Sequence, residues 1–203
     1  MAEEGQLAKS SDIQRCTTFN LGDDEFFNAS KDMSVDVKNN TTESIGNDCT
    51  REIGSNHTKD VTNSVTATVG GAQTVTVGAN QTWKVQTLYQ DEIGGDHSLS
   101  IGANRTMMIG GDHKRDVGGD STLDVGGMKI DLVVGSTTEE TLGSYTHSVG
   151  AALIDITAAD RTLTVGGSIT ETAGAAKIIA VKGGRGVDVS GAMTQQVAGA
   201  IAN

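Results

Sequence analysis

Proline is absent from the 203-residue sequence, and its aromatic residues are one Trp, two Tyr and three Phe. A globule of ordinary architecture fills its core with bulky groups, and this chain has few of them. Without proline, every backbone N–H can donate to a ladder. No apolar run is long enough to cross a membrane as a helix. The N-terminal MAEEGQLAKSS lacks the apolar region of a signal peptide. Positive charge is also scarce, with 15 Lys and Arg against 26 Asp and Glu and a net charge of −11. Such a surface is not drawn to nucleic acid or to anionic lipid. The two cysteines, Cys16 and Cys49, have no metal-site spacing and read as reduced thiols.

What is abundant is glycine, with 27 residues, together with Ser and Thr. Those residues suit a disordered chain, but a disordered chain keeps no register, and this one does. From Val37, steps of eight reach Ile45, Ile53, Val61, Val69, Val77, Val85, Ile93, Ile101, Ile109, Val117, Val125 and Val133, then Val149, Val165, Val181, Val189 and Val197. Only Thr141, Thr157 and Ala173 interrupt the Val and Ile series, and nothing is inserted or deleted. An unbroken internal repeat outranks other signals of fold.

The remaining positions have their own character. The residue after the anchor is Gly at Gly46, Gly54, Gly70, Gly78, Gly94, Gly102, Gly110, Gly118, Gly126, Gly150, Gly166 and Gly174. Asp or Asn commonly follows, and both residue types tolerate positive φ and abrupt changes of direction. Ser or Thr usually stands three before the anchor, as suits an outward strand position. Each octad therefore reads as a short strand and a kink.

A strand and a kink make one side of a coil. Three octads could close a single-chain coil, but only one reliable aliphatic per side is available to fill it. Three intertwined chains forming a thin shaft remove that difficulty and leave no lateral edge. The expected fold is thus all-β: an intertwined triple-stranded β-helix, an obligate homotrimer built from eight-residue repeats. With one strand spacing per octad its needle would be on the order of 100 Å long. Positions two before the anchor mix Lys59, Asp91, Arg115 and His147 with Trp83, Leu99, Leu123, Leu163 and Ile179. Burying those charges is costly, so strand twist or a watery lumen is expected there.

The segment FFNASKDMSVDVKNNTTESIGNDCTREIGSNHTKDV, residues 26–61, resembles the start of the shaft in valine-glycine repeat protein G, the spike of type VI secretion systems. The match runs through Ala29, Lys31, Asp32 and Met33, then Ile45-Gly46-Asn47-Asp48-Cys49-Thr50. The phage baseplate spike has a needle of the same kind. The resemblance implies a structural, membrane-puncturing needle of a contractile injection machine, not an enzyme, needing no cofactor. It implies assembly in the cytoplasm of a bacterium or phage-infected cell, then export on firing without a signal peptide. Implied partners are two further copies of the chain, a hub with an OB-fold or a baseplate at the N-terminal end, and a cone protein of the Pro-Ala-Ala-Arg type at the tip. Residues 1–28 would be a leader or connector, and 29–203 the shaft. An alanine-rich tip would taper from about residue 173, with Val197, Ala200 and Ile201 as the docking platform.

Other chemistries are weaker. His57, His97 and His113 share one octad position and could ring a trimer axis around a metal, but solvated or hydrogen-bonded imidazoles are the simpler reading. The Gly-Gly-Asp repeats have the wrong period for calcium-binding nonapeptides. Thr-x-Thr pairs are too sparse for an ice-binding face, and Gly183–Gly186 lacks the Lys and helix of a phosphate loop. No catalytic set and no metal set stands out. Alternative readings are a trimeric fibre or adhesin shaft acting as a spacer, and a single-chain β-solenoid binding protein.

Overall fold

The computed structural model describes residues 41–202. The anchor Val37, the expected leader over 1–28 and the boundary at residue 29 lie outside the described residues. Each octad forms one five-residue strand and a three-residue corner. The strands are β1 (Thr41–Ile45), β2 (Cys49–Ile53), β3 (His57–Val61) and so on at eight-residue intervals to β20 (Met193–Val197), with a short β21 (Ile201–Ala202).

Every third strand joins the same parallel sheet. The first face is β1-β4-β7-β10-β13-β16-β19, the second β2-β5-β8-β11-β14-β17-β20, and the third β3-β6-β9-β12-β15-β18-β21. Register is constant at 24 residues, as in Thr41↔Val65 and His113↔Thr137. Here the structure departs from the expected ladders between chains: the strands pair within one chain, and three octads close one coil. Seven strands per face stack to about 30 Å at ~4.8 Å per strand, not 100 Å.

The filler that a single coil needs is present, and it is largely polar. In the middle of the coil the first, third and fifth residues of each strand point inward and the second and fourth outward, as β11 (Ser121–Val125) shows. Each side thus supplies three lumen residues instead of one. The charges two before the anchor are neither twisted out nor left to water: Asp91, Arg115, Glu139, His147, Asp155 and Glu171 are all buried.

The corners also differ from expectation. No residue has positive φ among the described residues, so glycine is not there for left-handed backbone. It is there because of the coil beneath. A Cβ on Gly102 would come within 2.6 Å of the Gly78 carbonyl oxygen, and one on Gly94 within 2.7 Å of that of Gly70.

Candidate functional site

In a shaft the working part is the lumen that holds the faces together, and its ends. Anchors from Val69 to Val165 are buried: Val69, Val77, Val85, Ile93, Ile101, Ile109, Val117, Val125, Val133, Val149 and Val165. Those in the first coil, Ile45, Ile53 and Val61, and near the other end, Val181, Val189 and Val197, are only half-buried. On the second face the anchors join Leu99 and Leu123 in an aliphatic cluster with Leu153.

The first and third faces carry charge into the lumen. Arg105 Nη1 donates to Asp131 Oδ1 at 2.5 Å, Lys129 Nζ reaches Asp131 at 2.7 Å and Asp155 at 2.5 Å, and Arg161 lies 3.5 Å from Asp155. On the first face, Asp91, Arg115 and Glu139 are stacked in register as alternating charges, with Arg115 3.7 Å from Asp91. Lys177 pairs with Glu171, which also accepts from Gln195 at 2.8 Å. Five cations, Arg105, Arg115, Lys129, Arg161 and Lys177, thus meet five carboxylates, Asp91, Asp131, Glu139, Asp155 and Glu171. The fully buried cations are thus matched by carboxylates, and Arg51 and Lys59 point into the same lumen nearer the N-terminal end.

Burial alone would neutralise these groups, and only pairing keeps them charged. Burial works to raise the Asp131 carboxyl, yet Arg105 and Lys129 hold it well below the usual carboxylate range. Glu139 is likewise opposed by burial but drawn down to about 2 by His113, Arg115 and Arg161. At Asp91 burial wins over Arg115 and the Tyr89 hydroxyl, and its carboxyl is raised. The Tyr89 hydroxyl donates to Asp91 at 2.7 Å, and Tyr145 OH lies 3.2 Å from Glu139 Oε2 and 3.1 Å from His147 Nδ1.

The aromatic rings form a second interior thread. His57 packs edge-on to Trp83, Trp83 edge-on to Tyr89, and Tyr89 against His113, with centroids 5.2–5.6 Å apart. The three expected histidines stand on different faces and in different coils, so within one chain they do not share a level. His97 and His113 are buried, not solvated, and burial lowers both; His113 falls to about 4. Toward the N-terminal end a cavity of about 60 Å³ is lined by His57, Trp83, His97, Arg105 and Arg115 among others. That is room for about two waters. Among the described residues no three His, Cys, Asp or Glu converge as a metal-binding set.

Corner Asx residues tie coil to coil. Asp96 Oδ1 accepts the Asp120 N–H at 2.9 Å, and Asp120 Oδ1 accepts that of Ser144 at 2.7 Å. Asn80, Asn104, Asp112 and Asp160 do the same, Asp160 for Gly184. This is what the Gly-Gly-Asp stretches and Gly183–Gly186 are for. Of the glycines singled out, Gly46 and Gly54 have nothing beneath them, whereas Gly110, Gly118, Gly126, Gly150, Gly166 and Gly174 sit against a carbonyl below. The expected docking residues lie at the open C-terminal end, with Val197 half-buried and Ala200 and Ile201 exposed.

This arrangement can fix register. A slip of one octad would keep the aliphatic anchors on anchor positions, because they repeat every eight residues. It would also part Arg105 from Asp131 and Lys129 from Asp155, stranding buried charges. The aliphatic repeat supplies burial, and the non-repeating charges choose the alignment.

A three-faced parallel β-helix with an ion-paired lumen defines the class, a structural solenoid. Residues 21–109 match the model of the family described as the bacteriophage T4 gp5 C-terminal trimerisation domain. No curated protein and no solved structure shows significant similarity to the chain.

Proposed function

We propose that the chain is the rigid shaft of a spike in a contractile injection machine, of the type VI secretion or phage-tail kind, and that it works as a homotrimer. The observation that carries this reading is the match of residues 21–109 to a phage spike trimerisation domain, on octads that continue unbroken to the C-terminal end. Stacked parallel ladders on three faces spread an axial load over many hydrogen bonds, and slow unfolding is the property such a part needs. The role is mechanical rather than enzymatic. Export would follow firing of the machine, a hub or baseplate would hold the N-terminal end, and the target membrane would be crossed mechanically.

The C-terminal end suits a cap. The inward side chains of the last coil, Val187, Met193 and Ile201, are 38–52% exposed. Solenoids need such ends covered, and a cone protein of the Pro-Ala-Ala-Arg type is the proposed cover, on Val197, Ala200 and Ile201.

Three chains could share ladders by exchanging strands, since strand n of one chain could then lie on strand n−1 of its neighbour. That would pair residues eight apart between chains, whereas the closed coil pairs residues 24 apart within one. Solution mass and engineered disulfides test both points, because adjacent strands lie within disulfide reach. In a background lacking Cys16 and Cys49, a mass near three times 20.9 kDa supports the trimer, and a monomer sinks it. Thr106→Cys with Ile130→Cys crosslinks within a closed coil, whereas Thr106→Cys with Lys114→Cys crosslinks only between exchanged chains.

A further inference from the structure

We propose that the lumen cavity toward the N-terminal end is a binding site for one small inorganic anion, a chloride ion, gripped by Arg105 and Arg115 with His97 completing the set. The site belongs to the closed coil and does not depend on the homotrimeric reading above.

The three residues come from successive strands and from all three faces. His97 opens β8 (His97–Ile101) on the second face, Arg105 opens β9 (Arg105–Ile109) on the third, and Arg115 is the middle residue of β10 (His113–Val117) on the first. All three are buried and form part of the cavity wall. Each keeps an unspent nitrogen: Arg105 Nε, Arg115 Nε and His97 Nδ1 have no hydrogen-bond partner among the described residues. Arg105 spends Nη1 on Asp131 and Nη2 on the Met107 sulfur. Arg115 approaches Asp91 only to 3.7 Å, beyond hydrogen-bond length. Buried N–H groups without an acceptor are costly, and here two guanidinium N–H groups and an imidazole line one cavity.

The carboxylates that match the buried cations stand elsewhere. Of the five lumen carboxylates only Asp91 lines this cavity, against the cations Arg51, Lys59, Arg105 and Arg115. Asp91 already accepts the Tyr89 hydroxyl, and burial raises its carboxyl, so the one negative neighbour is the carboxylate most ready to take up a proton. The positive field shows at His97, where burial, Arg115 and Arg105 all lower the imidazole and only Glu139 opposes them. His97 is thus uncharged at neutral pH and serves as a neutral N–H donor.

The occupant follows from charge and size. A wall of donors suits a guest that only accepts. The cavity of about 60 Å³ has room for about two waters. A halide takes little more room than a water and fits with a water beside it, whereas a tetrahedral oxyanion would need all of that space. Seated there, the ion would tie the three faces together just inside the half-buried first coil. With 26 acidic residues against 15 basic ones, the molecule as a whole repels anions. A response specific to chloride therefore reports the interior and not the surface.

The test is urea unfolding of the full chain in sodium chloride against sodium gluconate at equal ionic strength, after refolding in each salt so that a trapped ion is exchanged. Above the Kd, each tenfold rise in chloride should raise the folding equilibrium constant about tenfold. Crystals grown with bromide as the probe should show an anomalous peak in the lumen beside Arg105 and Arg115. Arg115→Met with Asp91→Asn removes both charges together, leaves Tyr89 an acceptor, and should abolish both signals. Lys114→Met removes an exposed cation from the outer side of the same strand and should leave both unchanged. Equal stability in the two salts, with bromide on the outer surface only, overturns the site from the wild-type chain alone and leaves the shaft reading standing. A chloride response that persists in the double variant overturns the assigned residues.

Discussion

Ile101, an inward residue of the third coil, and Ile201, an inward residue of the last, differ sharply: one is 1% exposed and the other 52%. The middle of the coil and its C-terminal end thus differ by neighbours as well as by the alanine content of the end. A middle residue has a coil above and a coil below. A terminal one has a coil on one side only, and its inward side chain looks onto an open rim. Burial here belongs to stacking, so an octad acquires a core only when another follows. The same rule governs charge: Lys129 in the middle is enclosed by Asp131 and Asp155, whereas inward-pointing Arg185 in the last coil is exposed.

The sharpest way to break this contrast is to remove one member of the middle network. Asp131→Ala would leave Arg105 and Lys129 buried with two of their three carboxylate ion pairs gone. The expected loss is about 3–5 kcal/mol, the cost of stranding a buried charge. Replacing Arg105, Lys129 and Asp131 together by Met or Leu, which leaves Asp155 paired with Arg161, should cost much less, since well-packed apolar groups can substitute for a buried ion network. It should also loosen register, visible as broadened amide resonances. Chemical denaturation reads the first effect, and equal stability of Asp131→Ala and wild type would show that the network is not enclosed.

A purely apolar pair sharpens the contrast. Ile101→Ala should cost about 2–5 kcal/mol, and Ile201→Ala under about 0.5 kcal/mol. If a cone protein covers the tip, its presence should raise the cost of Ile201→Ala and leave that of Ile101→Ala unchanged. Melting curves with and without the partner provide the check.

Much of this was legible in the sequence and some was not, for a reason visible in particular residues. Strand boundaries, corners and anchors follow from a period of eight, which is local. The closure of the coil follows from a period of 24, and that signal is faint beneath the stronger one. It shows in the recurrence of Ile130, Ile154 and Ile178 where most octads carry Thr. Arg105 and Asp131 are 26 residues apart, so their complementarity is invisible until the coil is known. Taken singly, each reads as a charge that cannot be inside. The corner glycines were found for the wrong reason, since close stacking and not positive φ requires them. The tyrosines carried no pattern, and Tyr145 against Glu139 and His147 emerges only from the fold.

Acidification should attack the middle before the end. The folded chain holds His113 at about 4, below its ordinary 6.5. Below pH 6.5 the unfolded chain therefore gains a proton that the folded one refuses, and stability falls until about pH 4. A shift of that size corresponds to at most about 3 kcal/mol. Glu139 is depressed to about 2, so its contribution is present above its ordinary value near 4.5 and is lost as the pH falls toward 2. Both act in the same direction. Asp91, whose carboxyl burial raises, opposes them where it titrates, and the net expectation is a decline in stability from pH 6.5 toward 2. His113→Gln should flatten the upper part of that decline, and an unchanged slope would place the histidine in solvent.

The smallest effect separates stacked corners from unstacked ones. At Gly102 an added methyl meets the Gly78 carbonyl oxygen at 2.6 Å, while at Gly54 it meets nothing within 4 Å. Backbone below cannot yield as a flexible side chain would, so Gly102→Ala should cost about 1–3 kcal/mol, the usual penalty of overpacking. Gly54→Ala should be neutral or stabilising by up to about 1 kcal/mol, because alanine restricts the unfolded chain and φ is ordinary there. Corners that already carry side chains, at Val134 and Leu142, hold them 66% and 64% exposed, so a larger residue is tolerated where it can lean outward. Gly102→Val with a cost no greater than Gly102→Ala would mean that the corner shifts as those two do. A rising cost would mean that the ladder on either side pins it in place.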